Sequence, residues 1–112
     1  MRKIAISDIH GCKNTFLELL DKIALTQSDA LYLLGDYVDR GPDSRGVLDE
    51  IFKLRRQGYN VHCLRGNHEE LLLQLWENEL SDDSLSAWLS YGGRETLSSY
   101  GIGAAIVYSD DL

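Results

Sequence analysis

The feature that most constrains this chain is an alternation repeated three times: an apolar run of strand length, then a short polar cluster, then a segment with helical spacing. The runs are residues 3–7, 30–34 and 60–65. The clusters after them are Asp8-Ile9-His10-Gly11, Gly35-Asp36-Tyr37-Val38-Asp39-Arg40-Gly41 and Gly66-Asn67-His68-Glu69. This β-α-β-α-β order predicts an α/β fold with parallel strands and flanking helices, in which ligands sit outside the carboxyl ends of the strands. All three clusters fall at that end. They offer carboxylate, imidazole and amide oxygen to one crevice, a donor set for a hard or borderline divalent metal.

The helical segments follow from spacing. Phe16, Leu17, Leu20, Ile23 and Ala24 recur at helical intervals and predict a first helix over Asn14 to Leu25, with Gln27-Ser28-Asp29 as the turn into the second strand. Pro42 pre-sets a helical φ, Asp43 or Ser44 can cap, and Val47, Leu48, Ile51 and Leu54 form the next apolar stripe. Lys53, Arg55 and Arg56 suit the negative end of that helix, and Gly58 stops it. A third helix should bury Leu71, Leu72, Leu75 and Trp76. Leu85, Trp88 and Leu89 predict a short helix broken by Gly92-Gly93, and Arg94 to Tyr100 another, ended by Gly101. Gly103 to Tyr108 reads equally as strand or extended loop.

A length of 112 residues suits one domain, and 44% apolar content suits a globular core. The strand runs read as buried on both faces. A net charge of −7 argues against a general nucleic-acid or anionic-membrane surface. The few apolar residues after Met1-Arg2-Lys3 fall short of the roughly 7 to 15 of a signal peptide, and no run approaches the roughly 20 of a bilayer span, so the expectation is a cytoplasmic chain. Cys12 and Cys63 form no paired motif and read as free thiols, Cys63 in the core and Cys12 as a small packing residue beside the first cluster.

Asp8 and His10, two apart in an extended segment, point to the same side. Asp36 ends the next strand, where its two oxygens can bridge two cations, and Asn67 adds a neutral amide oxygen from the third strand end. His62 lies outside every cluster and reads as structural. Arg65 and Glu69 flank the third cluster and read as a supporting ion pair. Arg40 could engage a ligand or a neighbouring carboxylate. Gly101-x-Gly103 neither follows a strand nor opens a clear helix, so it is no nucleotide fingerprint.

The stretches "DIHG", "GDYVDRG" and "RGNHE", in this order, resemble the leading signatures of the calcineurin-like metallophosphoesterases, nearest the phosphoprotein phosphatase branch of bacterial type. The resemblance implies half of that family's α-β-β-α sandwich. It implies two divalent cations, manganese first with iron and zinc as alternatives: one held by Asp8, His10 and Asp36, the other by Asp36 and Asn67. Such a pair, about 3.5 to 4 Å apart, can activate a bridging water for direct attack on phosphorus. It further implies that His68 gives a proton to the departing alkoxide, that Asp39 orients His68 and stabilises its protonated form, and that Arg40 and Asn67 contact the phosphate. General acid help of this kind is worth about 10² to 10⁴ in rate.

The implied activity is phosphoester hydrolysis, by a serine/threonine protein phosphatase first and a dinucleoside polyphosphate hydrolase as the alternative. The partner is then a phosphorylated protein or a small phosphoester, with no nucleic acid and no membrane. The family also uses later histidines and a further arginine, whereas this sequence holds only His10, His62 and His68. The expectation is therefore that residues 1–112 are the N-terminal portion of one domain, inactive in isolation. The chain would be a fragment, a short protein completed by a second chain, or a non-catalytic remnant that binds metal or phosphate. An exposed half-domain edge would favour self-association.

Overall fold

The computed structural model describes residues 1–103. Its elements run β1 (Lys3–Ile6), α1 (Lys13–Lys22), β2 (Ala30–Leu33), α2 (Ser44–Arg56), β3 (Asn60–Cys63), α3 (Asn67–Trp76) and α4 (Asp82–Trp88). A π-helical turn, Leu89–Gly93, then leads into α5 (Arg94–Ser99). The strands form one parallel sheet in the order β1-β2-β3. This is the α/β arrangement that the alternation predicts. The stretch from Gly103 to Tyr108, left open between strand and loop, lies beyond Gly103 itself outside the described residues.

Helix ends follow local chemistry. α1 closes at Lys22, earlier than the apolar spacing suggests, because Ala24 turns left-handed at φ 51° and the Leu25 N–H reaches back to the Leu20 carbonyl at 3.3 Å. Asp43 caps α2 by accepting from the Gly46 N–H at 2.8 Å. Gly58, at φ 88°, ends the same helix. Ser81 caps α4 through the Ser84 N–H.

The strand order decides where the core lies. Both crossovers step the same way across the sheet, so right-handed connections bring α1 and α2 to the same face. Ile4, Leu31 and Val61 form one row of that face, and Ile6, Leu33 and Cys63 the next. The first row, with Ile6 and Leu33, packs on Phe16 and Leu20 of α1 and on Val47, Ile51 and Leu54 of α2. Each full burial of such a side chain stabilises the fold by about 1.5 to 3 kcal/mol.

Burial along the whole of both faces is not observed: on the second face Ala30 is buried, but the row beyond it is not. On the opposite face Ala5 and His62 are exposed among the described residues, and half-buried Tyr32 stacks on His62 at 4.8 Å. The crossover helices cover both faces of a parallel sheet only if the winding reverses, and here it does not. Cys63, expected in the core, is exposed because it ends an edge strand; Cys12 is also exposed, at the N-cap of α1. Both thiols are free.

A second, smaller cluster gathers Leu85, Trp88, Leu89 and Leu97, against which Leu71, Leu72 and Leu75 of α3 rest half-buried. Trp76 does not join them. It is the last residue of α3, extends past this cluster, and is 87% exposed. Among the described residues, no helix is long and apolar enough to cross a membrane.

Candidate metal and catalytic site

The loops after the three strands meet at their carboxyl ends and are knitted together by backbone. The His10 N–H donates to the Asp36 carbonyl at 2.9 Å, Gly11 N–H to the Tyr37 carbonyl at 2.8 Å, and Gly41 N–H to the His10 carbonyl at 2.8 Å. The Tyr37 hydroxyl lies 2.7 Å from both the Leu33 and the Leu64 carbonyl and shares its single proton between them, tying the ends of β2 and β3. Burial first, then the nearby Cys63 and Glu69, push that phenol above its ordinary value. A β-carbon on Gly66 would land on the Asp36 amide and carboxylate, so only glycine lets these two loops touch.

This packing brings Asp8, His10 and Asp36 together, with one donor atom from each lying within 4.8 Å of the others. His10 Nδ1 lies 2.9 Å from the Val38 carbonyl, a partner that can only accept, so Nδ1 carries the proton. The other ring nitrogen, Nε2, faces Asp8, whose Oδ1 lies 3.6 Å away. A neutral imidazole fixed in this tautomer by an outer carbonyl is the form that ligates a metal. These donors therefore fit a divalent cation on their chemistry and on their convergence. Asn67 opens α3 and is exposed; the next N–H, of His68, donates to Asp36 Oδ1 at 3.2 Å.

Glu69 does not pair with Arg65, contrary to the sequence expectation. Arg65 bonds Glu70 instead, at 2.9 Å. Glu69 turns inward and accepts from the backbone N–H groups of Asp36 (2.6 Å), Tyr37 (2.8 Å), Val38 (3.3 Å) and Gly66 (2.9 Å). One carboxylate thus gathers the loop after β2 and caps α3. Its position three residues after the Gly66 cap was the signal that could have found it.

Asp39 is fully buried. Its Oδ2 accepts from His68 Nδ1 at 2.7 Å and from Trp88 Nε1 at 2.6 Å, and its Oδ1 accepts from the Thr96 hydroxyl. The Asp39 N–H donates to Thr96 Oγ1 at 2.7 Å and to Ser44 Oγ at 3.1 Å. Trp88, Thr96 and Ser44 were not among the candidate site residues: the sequence offered Ser44 only as a helix cap and Trp88 only as part of an apolar stripe. The His68 ring meets the His10 ring edge-on, 4.7 Å between centroids. Arg40 is exposed, and among the described residues no carboxylate lies within ion-pair distance of it; its N–H donates to the Gly92 carbonyl at 3.1 Å. Asp8, His10, Asp36, Asp39 and Arg40 all adopt positive φ, between 43° and 75°.

Residues 1–108 match the family described as calcineurin-like phosphoesterase. A protein of Wigglesworthia glossinidia brevipalpis named bis(5'-nucleosyl)-tetraphosphatase, symmetrical, is 43% identical over 77 residues, covering 68% of this chain and 27% of that protein. Among solved structures, a putative diadenosine tetraphosphatase is 31% identical with a TM-score of 0.53, covering 78% of this chain and 41% of that one. A cold-active protein tyrosine phosphatase is 27% identical with a TM-score of 0.61, covering 96% and 33%. The chain spans about a quarter of the length of the curated relatives it matches.

Proposed function

The chain belongs to the calcineurin-like phosphoesterase family, and from that premise we propose that it carries the metal-binding and proton-donating half of a phosphoester hydrolase acting on dinucleoside polyphosphates. The observation that carries the reading is the convergence of Asp8, His10 and Asp36 beside the His68–Asp39 pair, with His10 Nε2 turned toward Asp8 and Nδ1 held by the Val38 carbonyl. The substrate class rests on relatives named bis(5'-nucleosyl)-tetraphosphatase, symmetrical. They favour the alternative raised from the sequence over its leading choice, a serine/threonine phosphatase. The likeness to a cold-active protein tyrosine phosphatase keeps a phosphoprotein substrate as the second reading, without favouring serine or threonine. A cytoplasmic location and manganese as the resident metal belong to the same proposal.

Asp8, His10 and Asp36 would hold one divalent cation, and Asp36 with Asn67 a second. Bound there, such ions supply Lewis-acid activation of water and offset phosphoryl charge. The chain's own groups do the rest. Arg40, exposed and unpaired among the described residues, grips phosphoryl oxygens with its planar fork. As a water oxygen bonds to phosphorus, keeping one proton and releasing the other to solvent, and the bond to the leaving oxygen breaks, His68 passes its Nε2 proton to that oxygen and is reprotonated from solvent. Asp39 holds the opposite ring nitrogen and so aims Nε2 at the phosphate. Residues 1–112 then form the N-terminal portion of one domain, whose remainder covers the open sheet face and adds further ligands.

Hydrolysis of diadenosine tetraphosphate and of a phosphoserine peptide by the full-length protein, loaded with manganese, is the deciding comparison. The proposal expects a higher kcat/KM on the dinucleotide. A strong preference for the peptide returns the protein to the phosphatase reading, and activity on neither overturns both.

A further inference from the structure

The buried surroundings of Asp39 reach well beyond the three motifs, into the segment that follows α3. Trp88 ends α4 and Thr96 lies in α5, 49 and 57 residues from Asp39 in sequence, yet both donate to its carboxylate. Each is 1% exposed. The two donors engage different oxygens. Trp88 takes Oδ2, the oxygen that also faces His68, while Thr96 takes Oδ1. With its only proton spent on Oδ1, the Thr96 oxygen accepts from the Asp39 N–H and from the Ser44 hydroxyl, 3.1 Å away. The carboxylate plane is therefore set from both ends and cannot rotate without leaving a buried donor unmatched. The same segment fixes the next residue. Gly92, at φ 114°, presents its carbonyl to the Arg40 N–H, and a β-carbon there would strike the Arg40 backbone.

We propose that Trp88 and Thr96 are positioning residues for the Asp39–His68 pair, so that the α4–α5 segment belongs to the proton-donating apparatus rather than only to the second core cluster. The proposal rests on the reading of His68 as the proton donor. A purely packing role for Trp88 needs its ring but not its N–H. A packing role for Thr96 needs its volume but not its hydroxyl. Trp88→Phe and Thr96→Val remove the polar groups and keep most of the bulk, and Thr96→Ser restores the hydroxyl.

Two measurements test it. In the 112-residue chain, proton–nitrogen NMR should detect the His68 Nδ1–H as a protected, strongly downfield resonance. It should broaden or vanish in Trp88→Phe and in Thr96→Val and persist in Thr96→Ser, with each variant's melting curve still cooperative. In the full-length protein, the first two variants should lose kcat on phosphoserine peptide by about tenfold to a hundredfold, short of the roughly 10² to 10⁴ of a whole general acid. KM should not change, and turnover of p-nitrophenyl phosphate should fall less, because its phenolate departs without a proton. An unchanged His68 resonance in Trp88→Phe overturns the proposal, as does equal loss on both substrates. Should Thr96→Val fail to fold, Trp88→Phe decides alone. If His68→Asn loses no activity on either substrate, the proton-donor reading fails, whereas the NMR result still judges the positioning.

Discussion

Replacing Glu69 tests the organisation of the whole site, because one side chain serves two loops. Glu69→Ala strands four backbone N–H groups, three of them in bonds of 2.6 to 2.9 Å and the fourth at 3.3 Å. Hydrogen bonds to a charged group contribute about 1.5 to 3 kcal/mol each. Glu69 is only half-buried, so water can replace part of the loss. The lower end of the range for the three short bonds, reduced by that replacement, gives a net destabilisation of about 3 kcal/mol. That is a large share of the roughly 5 to 15 kcal/mol that holds a domain together, and corresponds to a fall in melting temperature of at least about 10 °C. Glu69→Gln should lose somewhat less, since its amide nitrogen must face one of the N–H groups. Asp36 takes its backbone position from the same bonds, so manganese binding by calorimetry should weaken in both variants. Urea unfolding of the wild type and both variants supplies the stability. Wild-type stability together with wild-type manganese affinity in Glu69→Ala would falsify the argument.

Asp36→Asn removes a charged donor shared by the candidate sites, and calorimetry should record a loss of manganese affinity beyond the roughly 10- to 100-fold typical of losing an outer partner. His68→Asn should leave manganese binding unchanged, because its Nδ1 is committed to Asp39 and it is assigned no ligand role; metal loss there would mean a ligand was taken for an acid. Leu33→Ala, at a fully buried position in the middle strand, should cost about 2 to 5 kcal/mol in urea unfolding without altering the loops. The Arg2 guanidinium, through paired bonds of 3.0 and 2.7 Å, and then the Thr26 N–H, hold the Asp29 carboxyl well below its ordinary value. The unfolded chain then binds the extra proton first, so this contribution is complete above about pH 4 and is lost as pH falls further. Asp29→Asn should flatten the acid limb of the stability profile, and an acid limb identical to wild type would refute the assignment.

What could be read from the sequence was short in range. Asp8 with His10, and Asp39 with Arg40, stand within single clusters, and the strand ends that carry those clusters follow from apolar runs of a few residues. Asp43 and Gly58 mark helix ends through the next turn alone, and both marks hold in the structure. The misreadings have a longer range. An apolar run reads as covered on both faces, whereas coverage depends on the direction of winding, which no strand records in its own residues. Cys63 and Trp76 look like core by composition, yet each terminates its element beyond the surface that would cover it. Trp88 sits on an apolar helical stripe and reads as core, which it also is; that its N–H faces a carboxylate 49 residues away is a property of the packed molecule.

The backbone gives the reason that so many groups converge on two loops. Among the described residues, five of the seven non-glycine positions with positive φ are Asp8, His10, Asp36, Asp39 and Arg40. Aspartate and histidine tolerate this region better than most residues, but each such position still costs of order 1 kcal/mol or more. The backbone at Asp8 and His10 is therefore left-handed and not the extended segment expected from the sequence, and it is in this form that their donor atoms meet that of Asp36. The conformations persist only where neighbours over-determine them. Glu69 fixes Asp36, the Val38 carbonyl fixes the His10 ring, and Trp88, Thr96 and Gly92 fix Asp39 and Arg40. Strain in the loops and hydrogen bonding from α3 to α5 are thus two sides of one arrangement. Removing the bonds should let these residues relax toward negative φ, and the donor atoms would separate before the sheet itself is disturbed.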